Sequence, residues 1–114
     1  MEALTIIELN QLYAAGKFEE LAKHPGIYLE PEWAMGLTLN ESDFVRETLA
    51  LNEALAELPD VAMKLANDAK YWVRRYLAIN PAIAKLPKLA KKIAKKIEAI
   101  FESEIPGLGF SHSR

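Results

Sequence analysis

A 28-residue repeat constrains this chain more than any other feature of its sequence. Residues 45–72 align without a gap on residues 73–100, and twelve of the 28 positions are identical. Many of the other positions exchange Leu for Ile or Val for Leu. A repeat of this length predicts stacked copies of one supersecondary unit, because each copy buries its apolar face only against its neighbours.

A third copy of the repeat, fainter than the other two, covers residues 17–44. Its Leu21 recurs at the same position of both later copies, and so does its Pro31. Four further columns are apolar in every copy and are predicted to form the core. They are Ile27, Leu55 and Ile83; Trp33, Val61 and Leu89; Leu37, Leu65 and Ile93; and Phe44, Trp72 and Ile100.

Each copy is predicted to form two short helices. The first covers residues 45–51 in the second copy and 73–79 in the third, and Asn52 and Asn80 stand at its end, where an Asn side chain satisfies backbone groups. The second helix begins at the proline column, because a proline in the first turn of a helix loses no hydrogen bond. Its apolar residues have the spacing of a helix that is buried on one side.

The N-terminal residues depart from the repeat, as the end of a repeat protein does because one of its faces meets water. Thr5 and Glu8 have the spacing of a capping box. Gly16 is placed where a left-handed residue closes a helix. These residues predict a cap helix over about residues 6–15.

The last predicted helix continues past the third copy, where Ile97, Ile100 and Phe101 prolong its apolar side. We therefore predict an all-α fold: a short right-handed α-solenoid of about three helix-pair repeats between an N-terminal cap helix and a long C-terminal capping helix. Residues 1–114 form one domain. Its segments are 1–16 for the cap helix; 17–44, 45–72 and 73–100 for the repeats; and 101–114 for the end of the last helix and a flexible tail.

The sequence pattern of the repeat resembles the leucine-rich-repeat-variant and HEAT-like families of bacterial helical repeats. The pattern is V-R-x-x-L-A-x-N, followed by a second helix that ends L-A-x-D. The residues that carry it are Val45, Arg46, Leu49, Ala50, Asn52, Leu65, Ala66 and Asp68, and then Val73, Arg74, Leu77, Ala78, Asn80 and Pro81. The resemblance covers about residues 17–100 and implies a scaffold for protein contacts. HEAT-like is the better description, because the period exceeds the variant family's usual unit and the cluster-binding cysteines of some members are absent.

Composition limits the chemistry that is open to the chain. It contains no cysteine, which excludes disulfides, thiolate zinc sites, cysteine-ligated iron–sulfur clusters and a cysteine nucleophile. The first ten residues carry acids where a signal peptide carries bases, and no apolar run approaches the length of a membrane span. We therefore expect a cytoplasmic protein with no integral membrane association.

The net charge of −2 conceals a strong asymmetry between the two halves of the chain. Residues 1–57 hold eleven acids and three bases, a net charge of −8, whereas residues 58–114 hold five acids and eleven bases, a net charge of +6. Such asymmetry indicates charged partners rather than a particular fold. The acidic half could match a basic partner, or the basic end of a second copy in head-to-tail association.

Five lysines occupy one arc of the last helix, opposite its apolar side. They are Lys88, Lys91, Lys92, Lys95 and Lys96. A solvated outer face explains them, since lysine stems shield apolar surface while their charges stay in water. The same arc also suits a nucleic-acid backbone, an anionic membrane surface or an acidic protein.

Tyr71, Arg75 and Tyr76 depart from the repeat in a way that indicates binding. The residues 28 positions earlier are Asp43, Glu47 and Thr48, so these positions are not core positions. Tyrosine and arginine are also enriched among residues that dominate binding energy. A binding role and simple surface variation explain the three residues equally well.

No sequence motif of an enzyme, a metal site or a cofactor site is readable in the chain. His24 shares the column of Asn52 and Asn80 and is expected to have their role, and His112 lies in the tail without a second ligand at metal spacing. The two tryptophans fall in apolar columns, so core packing is expected for both. We predict no catalytic residue, no metal and no cofactor.

A non-enzymatic protein-binding module is the function that these patterns favour. A basic and aromatic face near the C-terminus is predicted to bind an acidic protein partner. Its candidate residues are Tyr71, Arg75, Tyr76, Lys88, Lys92 and Lys95. The alternative is nucleic-acid binding through the same face, because a basic stripe with interleaved aromatic residues also suits phosphates and stacked bases.

Overall fold

A computed structural model describes residues 2–104, with the side chain of residue 104 excepted, and within that range it contains helices, turns and no strand. The all-α prediction is therefore confirmed, while the predicted tail and His112 lie outside the described residues. The helices are α1 (Glu2–Ala14), α2 (Phe18–Lys23), α3 (Pro31–Leu37), α4 (Asp43–Ala50), α5 (Pro59–Ala66), α6 (Tyr71–Ala78), α7 (Pro81–Ala84) and α8 (Pro87–Glu104). Two 3₁₀ segments, Ile27–Leu29 and Glu53–Glu57, follow α2 and α4. None of the described helices is both long and apolar enough to cross a membrane.

The proline column marks the helix starts as predicted. Pro31, Pro59 and Pro87 are the first residues of α3, α5 and α8. Proline suits this position because its fixed backbone angle is helical and its missing N–H is not needed in the first turn. The second helix of each copy therefore begins at the same point of the repeat.

The helices pack in rows that follow the order of the copies. In one row α4 lies between α2 and α6, and in a second row α5 lies between α3 and α8. The two 3₁₀ segments contact each other, and α7 continues their row. Each copy thus contacts the next through equivalent elements.

The core contains most of the predicted columns. Ile27, Leu55 and Ile83 are buried, and so are Leu37, Leu65 and Ile93. Val61 is buried as well, whereas its column mates Trp33 and Leu89 are partly buried against the core. These side chains lie on the inward sides of the rows, where stacking removes them from water.

The column of Phe44 and Trp72 was predicted wrongly. The two side chains are 54% and 48% exposed, and Ile100 in the same column is partly buried. The first helix of each copy buries the residues next to them in sequence, Val45 and Val73. Because successive helical residues turn by about 100°, the preceding residue faces away from the core.

The asparagine column links consecutive copies by hydrogen bonds. The Nδ2 of Asn52 donates to the carbonyl oxygens of Ala22 and His24, at 2.8 and 2.9 Å. One copy later, the Nδ2 of Asn80 donates to the carbonyl oxygens of Ala50 and Asn52, at 2.8 and 3.0 Å. Each Oδ1 accepts a backbone N–H two residues further on. The predicted capping role is thus accompanied by a contact to the copy before.

The arginine column makes a second set of contacts between helices. Nε and Nη2 of Arg46 donate to the carboxylate of Asp68 at 2.8 and 3.2 Å, and Nη1 donates to the carbonyl oxygen of Asn40 at 2.7 Å. The hydrogen bond with Asp68, reinforced by its charge, raises the pKa of Arg46 above its usual value although partial burial opposes this shift. Nη1 of Arg74 donates to the carbonyl oxygen of Asp68 at 2.7 Å. Both arginines thus donate to a backbone carbonyl six residues earlier in the chain.

The N-terminal helix ends as predicted but begins earlier. Gly16 has a positive φ of 70°, Lys17 donates its N–H to the carbonyl oxygen of Leu12, and Gly16 donates to that of Tyr13. This is the Schellman arrangement, which a glycine closes without steric cost. The capping-box prediction was wrong, because α1 runs from Glu2 and Thr5 therefore lies inside the helix.

The apolar side of α8 fades towards its end. Ile93 is buried and Ile97 packs against the core, as predicted. Phe101, which was predicted to cover the core with them, is 44% exposed. It lies two turns beyond Ile93, where the neighbouring helices of the described chain no longer cover this side of α8.

Candidate interaction surface

One side of the α6 helix packs against neighbouring helices, and the opposite side lies in solvent. Val73 and Leu77, one turn apart, are fully buried, and α6 packs against α4, α5 and α8. Arg74 is also buried, whereas Tyr71, Trp72 and Arg75 are exposed and Tyr76 is partly buried. The outward positions are occupied by large rings and an arginine instead of small polar residues.

Four of these residues form what we call the α6 aromatic cluster: Tyr71, Trp72, Arg75 and Tyr76. The rings of Tyr71 and Trp72 meet edge to face with centroids 5.3 Å apart, and those of Trp72 and Tyr76 are tilted with centroids 5.9 Å apart. The guanidinium carbon of Arg75 lies 5.9 Å from the centroid of the Trp72 ring, within cation–π range. Trp72 is thus the centre of the cluster.

The cluster is anchored on one side and accessible on the other. Tyr76 is partly buried and packs against the core, whereas Tyr71 and Trp72 keep about half of their surface in solvent. Contacts between the rings restrict their side-chain motion before any partner arrives. Such a preordered surface loses little conformational entropy on binding.

Exposed apolar residues of α4 and of the end of α6 extend this surface across two helices. Phe44 on α4 and Leu51 directly after it are exposed, and Ile79 follows the last turn of α6 with 55% of its surface in solvent. Phe44 is the repeat equivalent of Trp72, and Leu51 is the equivalent of Ile79. Since α4 and α6 are neighbours, the apolar residues line two adjacent helices in register. Large apolar residues exposed on two neighbouring helices indicate an interaction site.

The predicted lysines lie on a different helix. Lys88, Lys92 and Lys95 are exposed residues of α8, on the side opposite the buried Ile93. The structure therefore brings Tyr71, Arg75 and Tyr76 together, whereas the lysines form a separate basic side of the neighbouring α8. The lysines can influence a partner bound at α6 through their field, which extends about 8 Å at physiological salt.

Trp72 is the functional candidate that the sequence interpretation missed. The repeat placed it in an apolar column, and that column was assigned to the core. The apolar pair Val73 and Leu77, one turn apart, is the signal that could have placed Trp72 outside the buried side, because successive helical residues turn by about 100°.

No metal centre accompanies this surface in the part of the chain that the structure describes, where no group of three or more His, Asp or Glu side chains could hold a metal ion. The imidazole of His24 instead contacts the cap helix and its own backbone. Its Nε2 lies 2.6 Å from Oε1 of Glu8, and its Nδ1 accepts the N–H of Gly26 at 2.9 Å. This histidine has the capping role that its column predicted.

Comparison of the chain with protein-family models, with characterised proteins and with solved structures finds no match. The resemblance to HEAT-like repeats therefore rests on the sequence pattern of the repeat. A function for the α6 surface has to be argued from its own chemistry.

Proposed function

We propose that the chain is a short right-handed α-solenoid of three 28-residue helix pairs, a HEAT-like scaffold without enzymatic activity. Two observations support this architecture. The helices of each row follow one another in the order of the copies, and the Asn52 and Asn80 side chains make the same pair of interhelix hydrogen bonds 28 residues apart. Stacked repeats of this kind present extended surfaces to other proteins.

The function of the scaffold in this proposal is to bind an acidic protein partner through the α6 aromatic cluster. The observation that carries the proposal is Trp72, a half-exposed tryptophan held between two tyrosines and under Arg75. Tryptophan, tyrosine and arginine supply most of the energy in many protein interfaces. Here they occupy positions 71, 72, 75 and 76 of one helix, where Trp72 contacts the other three.

The charge of the region indicates which partner suits it. The C-terminal half carries a net charge of +6, and the exposed lysines of α8 lie on the helix next to α6. Arg75 can pair with a carboxylate while its flat side remains on Trp72. A partner with carboxylates around an apolar residue would thus be complementary to both the rings and the charges.

A photo-cross-linking amino acid at Ile79 tests the proposal in cells of the source organism. Ile79 is exposed at the edge of the cluster, so a bound partner should be captured there and then identified and purified. Trp72→Ala should weaken the affinity of the purified partner by about 30-fold, the range of an interface hot spot. Leu4→Ala, which removes an exposed apolar side chain of α1 at the N-terminal end of the sequence, should leave it unchanged.

An unchanged affinity for Trp72→Ala would contradict the placement of the site. A loss that is the same for Leu4→Ala would show that binding depends on general surface hydrophobicity. Arg75→Glu should reduce the affinity further than Arg75→Ala, because it reverses the charge that faces the partner.

Nucleic-acid binding is the second candidate function, favoured by the five exposed lysines of α8. Protein–phosphate contacts release condensed counterions, so the affinity for mixed-sequence oligonucleotides should fall steeply as salt rises. Fluorescence anisotropy measures this dependence, and the triple variant Lys88→Glu/Lys92→Glu/Lys95→Glu should abolish the binding. Absence of binding at low salt would remove this candidate.

A further inference from the structure

A small cavity lies at the other end of the molecule, where α1, α2 and α3 meet. It has a volume of about 250 Å³, and the rings of Tyr13, Phe18 and Trp33 line it together with the side chain of Glu32. This volume is below the usual range for a drug-sized ligand. The cavity therefore suits a small chemical group at the end of a longer chain.

The turn between α1 and α2 determines how the rings meet. Gly16, with its φ of 70°, reverses the chain between the two helices and brings Tyr13 and Phe18 together. Their rings are perpendicular, with an interplanar angle of 87° and centroids 6.0 Å apart. Trp33 from α3 lies 4.3 Å from the Tyr13 ring centroid at a tilt of 31°. Phe18 thus meets Tyr13 at a right angle, Trp33 packs against the Tyr13 ring, and all three rings line the same cavity.

The rings differ in how firmly they are held. Trp33 is partly buried against the core, whereas Tyr13 and Phe18 are 45% and 36% exposed. A ligand can thus reach the cavity past Tyr13 and Phe18 and meet a fixed indole. Gly36 also lines the cavity, and an added Cβ at this position would have no heavy atom within 4 Å, so there is free space at this wall.

The electrostatics of the cavity favour a cation. Aromatic faces are negative, and three rings around one space attract a positively charged group that carries little water. The residues that line the cavity in the described chain include Glu32 and neither lysine nor arginine. The surrounding half of the chain has a net charge of −8.

We propose that this cavity binds a trimethylated lysine side chain of a basic protein segment. A trimethylammonium group donates no hydrogen bond, has a weakly held hydration shell and fits against aromatic faces. The acidic surroundings select its carrier: they attract the basic residues around a modified lysine, whereas they repel the phosphate that accompanies a phosphocholine head group. This site is independent of the α6 aromatic cluster.

Tryptophan fluorescence tests the proposal in the Trp72→Phe background, where Trp33 is the remaining tryptophan. The probe is a short lysine-rich peptide that carries one trimethyllysine. The controls are the unmodified peptide and a peptide in which a carbon atom replaces the methylated nitrogen, so that shape is kept and charge is lost. The trimethyllysine peptide should shift the Trp33 emission and bind at least about tenfold more tightly than the carbon analogue.

Three outcomes would overturn the proposal. Equal affinity for the charged peptide and its carbon analogue would show that the cavity takes apolar groups without regard to charge. An unchanged Trp33 emission up to millimolar peptide would show that the cavity binds neither. Phosphocholine binding as tightly as the peptide would contradict the assigned carrier.

Variants separate the cavity from general attraction to an acidic protein. Tyr13→Leu should lower the affinity for the trimethyllysine peptide about tenfold, while Tyr13→Phe, which keeps the ring, should retain most of it. Glu32→Gln should weaken binding more than Glu57→Gln, an exposed glutamate outside this cavity that removes the same charge. Equal effects of the two glutamine variants would mean that net charge alone binds the peptide. Circular dichroism checks that each variant remains folded.

Discussion

At the scale of single residues, Asn52 and Asn80 show how one side chain can join two copies of a repeat. Each amide accepts a bond from its own turn and donates two to the copy before. In the first copy the same column holds His24, and the helix that precedes it is α1. Its ring keeps the bond to the turn and contacts Glu8 of α1. The residue type follows from what precedes each copy.

Asn80→Ala should destabilise the protein by about 2–3 kcal/mol, because two buried carbonyl oxygens and one N–H lose their partner together. Asn80 is fully buried, so water cannot replace these bonds without opening the packing. The change is measured as the free energy of unfolding in urea. Asn67→Ala, at an exposed position at the end of α5, should change it by less than about 0.5 kcal/mol. Similar values for the two variants would show that the hydrogen bonds of Asn80 contribute little to stability.

Trp72→Ala should lower the free energy of unfolding by about 1 kcal/mol or less, although tryptophan in a core costs about 3–5 kcal/mol. The reason is that Trp72 is on the solvent side of α6 and leaves no buried cavity. Leu77→Ala on the opposite, fully buried side should cost about 2–5 kcal/mol. Urea unfolding of both variants tests the orientation of α6. A larger loss of unfolding free energy for Trp72→Ala than for Leu77→Ala would show that the Trp72 side faces the core.

At the scale of elements, helix ends decide where side chains meet. The Gly16 turn ends α1 and starts α2 so closely that Tyr13 and Phe18 come into contact, and the prolines start α3, α5 and α8 at one point of the repeat. A helix of six to eight residues is not stable alone in water. Its neighbours therefore supply most of its stability, and its ends determine which neighbours it reaches.

Gly16→Ala and Gly36→Ala should change stability in opposite directions. Gly16 has a φ of 70°, where an added side chain is strained, so its replacement should destabilise by about 1 kcal/mol. Gly36 lies inside α3 with open space around a new Cβ, so alanine should stabilise by about 0.5–1 kcal/mol through its higher helix propensity. Thermal unfolding ranks both against the unmodified protein, and a stabilising Gly16→Ala would contradict the left-handed turn.

At the scale of the whole molecule, charge and aromatic surface are divided between the two ends. The acidic half contains the cavity lined by Tyr13, and the basic half contains the α6 aromatic cluster. Opposite charges at the ends of an elongated molecule, 54 × 28 × 18 Å, attract the ends of separate copies. This field acts at long range only when salt is low.

We expect weak head-to-tail association that salt abolishes. Sedimentation equilibrium at about 0.01 M salt, where screening extends about 30 Å, should show an average mass that rises with protein concentration. At about 0.15 M the mass should return to that of the monomer. The variant Lys88→Glu/Lys92→Glu/Lys95→Glu should remain monomeric in both conditions. A mass that is independent of salt would show that the charge asymmetry does not produce association.

The sequence by itself determined the period, the proline helix starts, the buried columns of Ile27 and Leu37, and the capping role of the asparagines. These features are local or repeat in register, so helical geometry and proline chemistry are enough to predict them. It also singled out Tyr71, Arg75 and Tyr76, because each differs in residue type from the equivalent position 28 residues earlier.

Only the tertiary structure decided which side of each helix meets a neighbour. An apolar column shows that a position recurs, but Phe44 and Trp72 lie outward because packing selected Val45 and Val73 for the core. Packing likewise determines which carbonyl oxygens accept hydrogen bonds from the asparagine column, and it brings the rings of Tyr13 and Trp33 into contact. Residues 20 or more positions apart come together through the angles and distances between helices. The hydrophobic periodicity along one helix carries no information about these angles and distances.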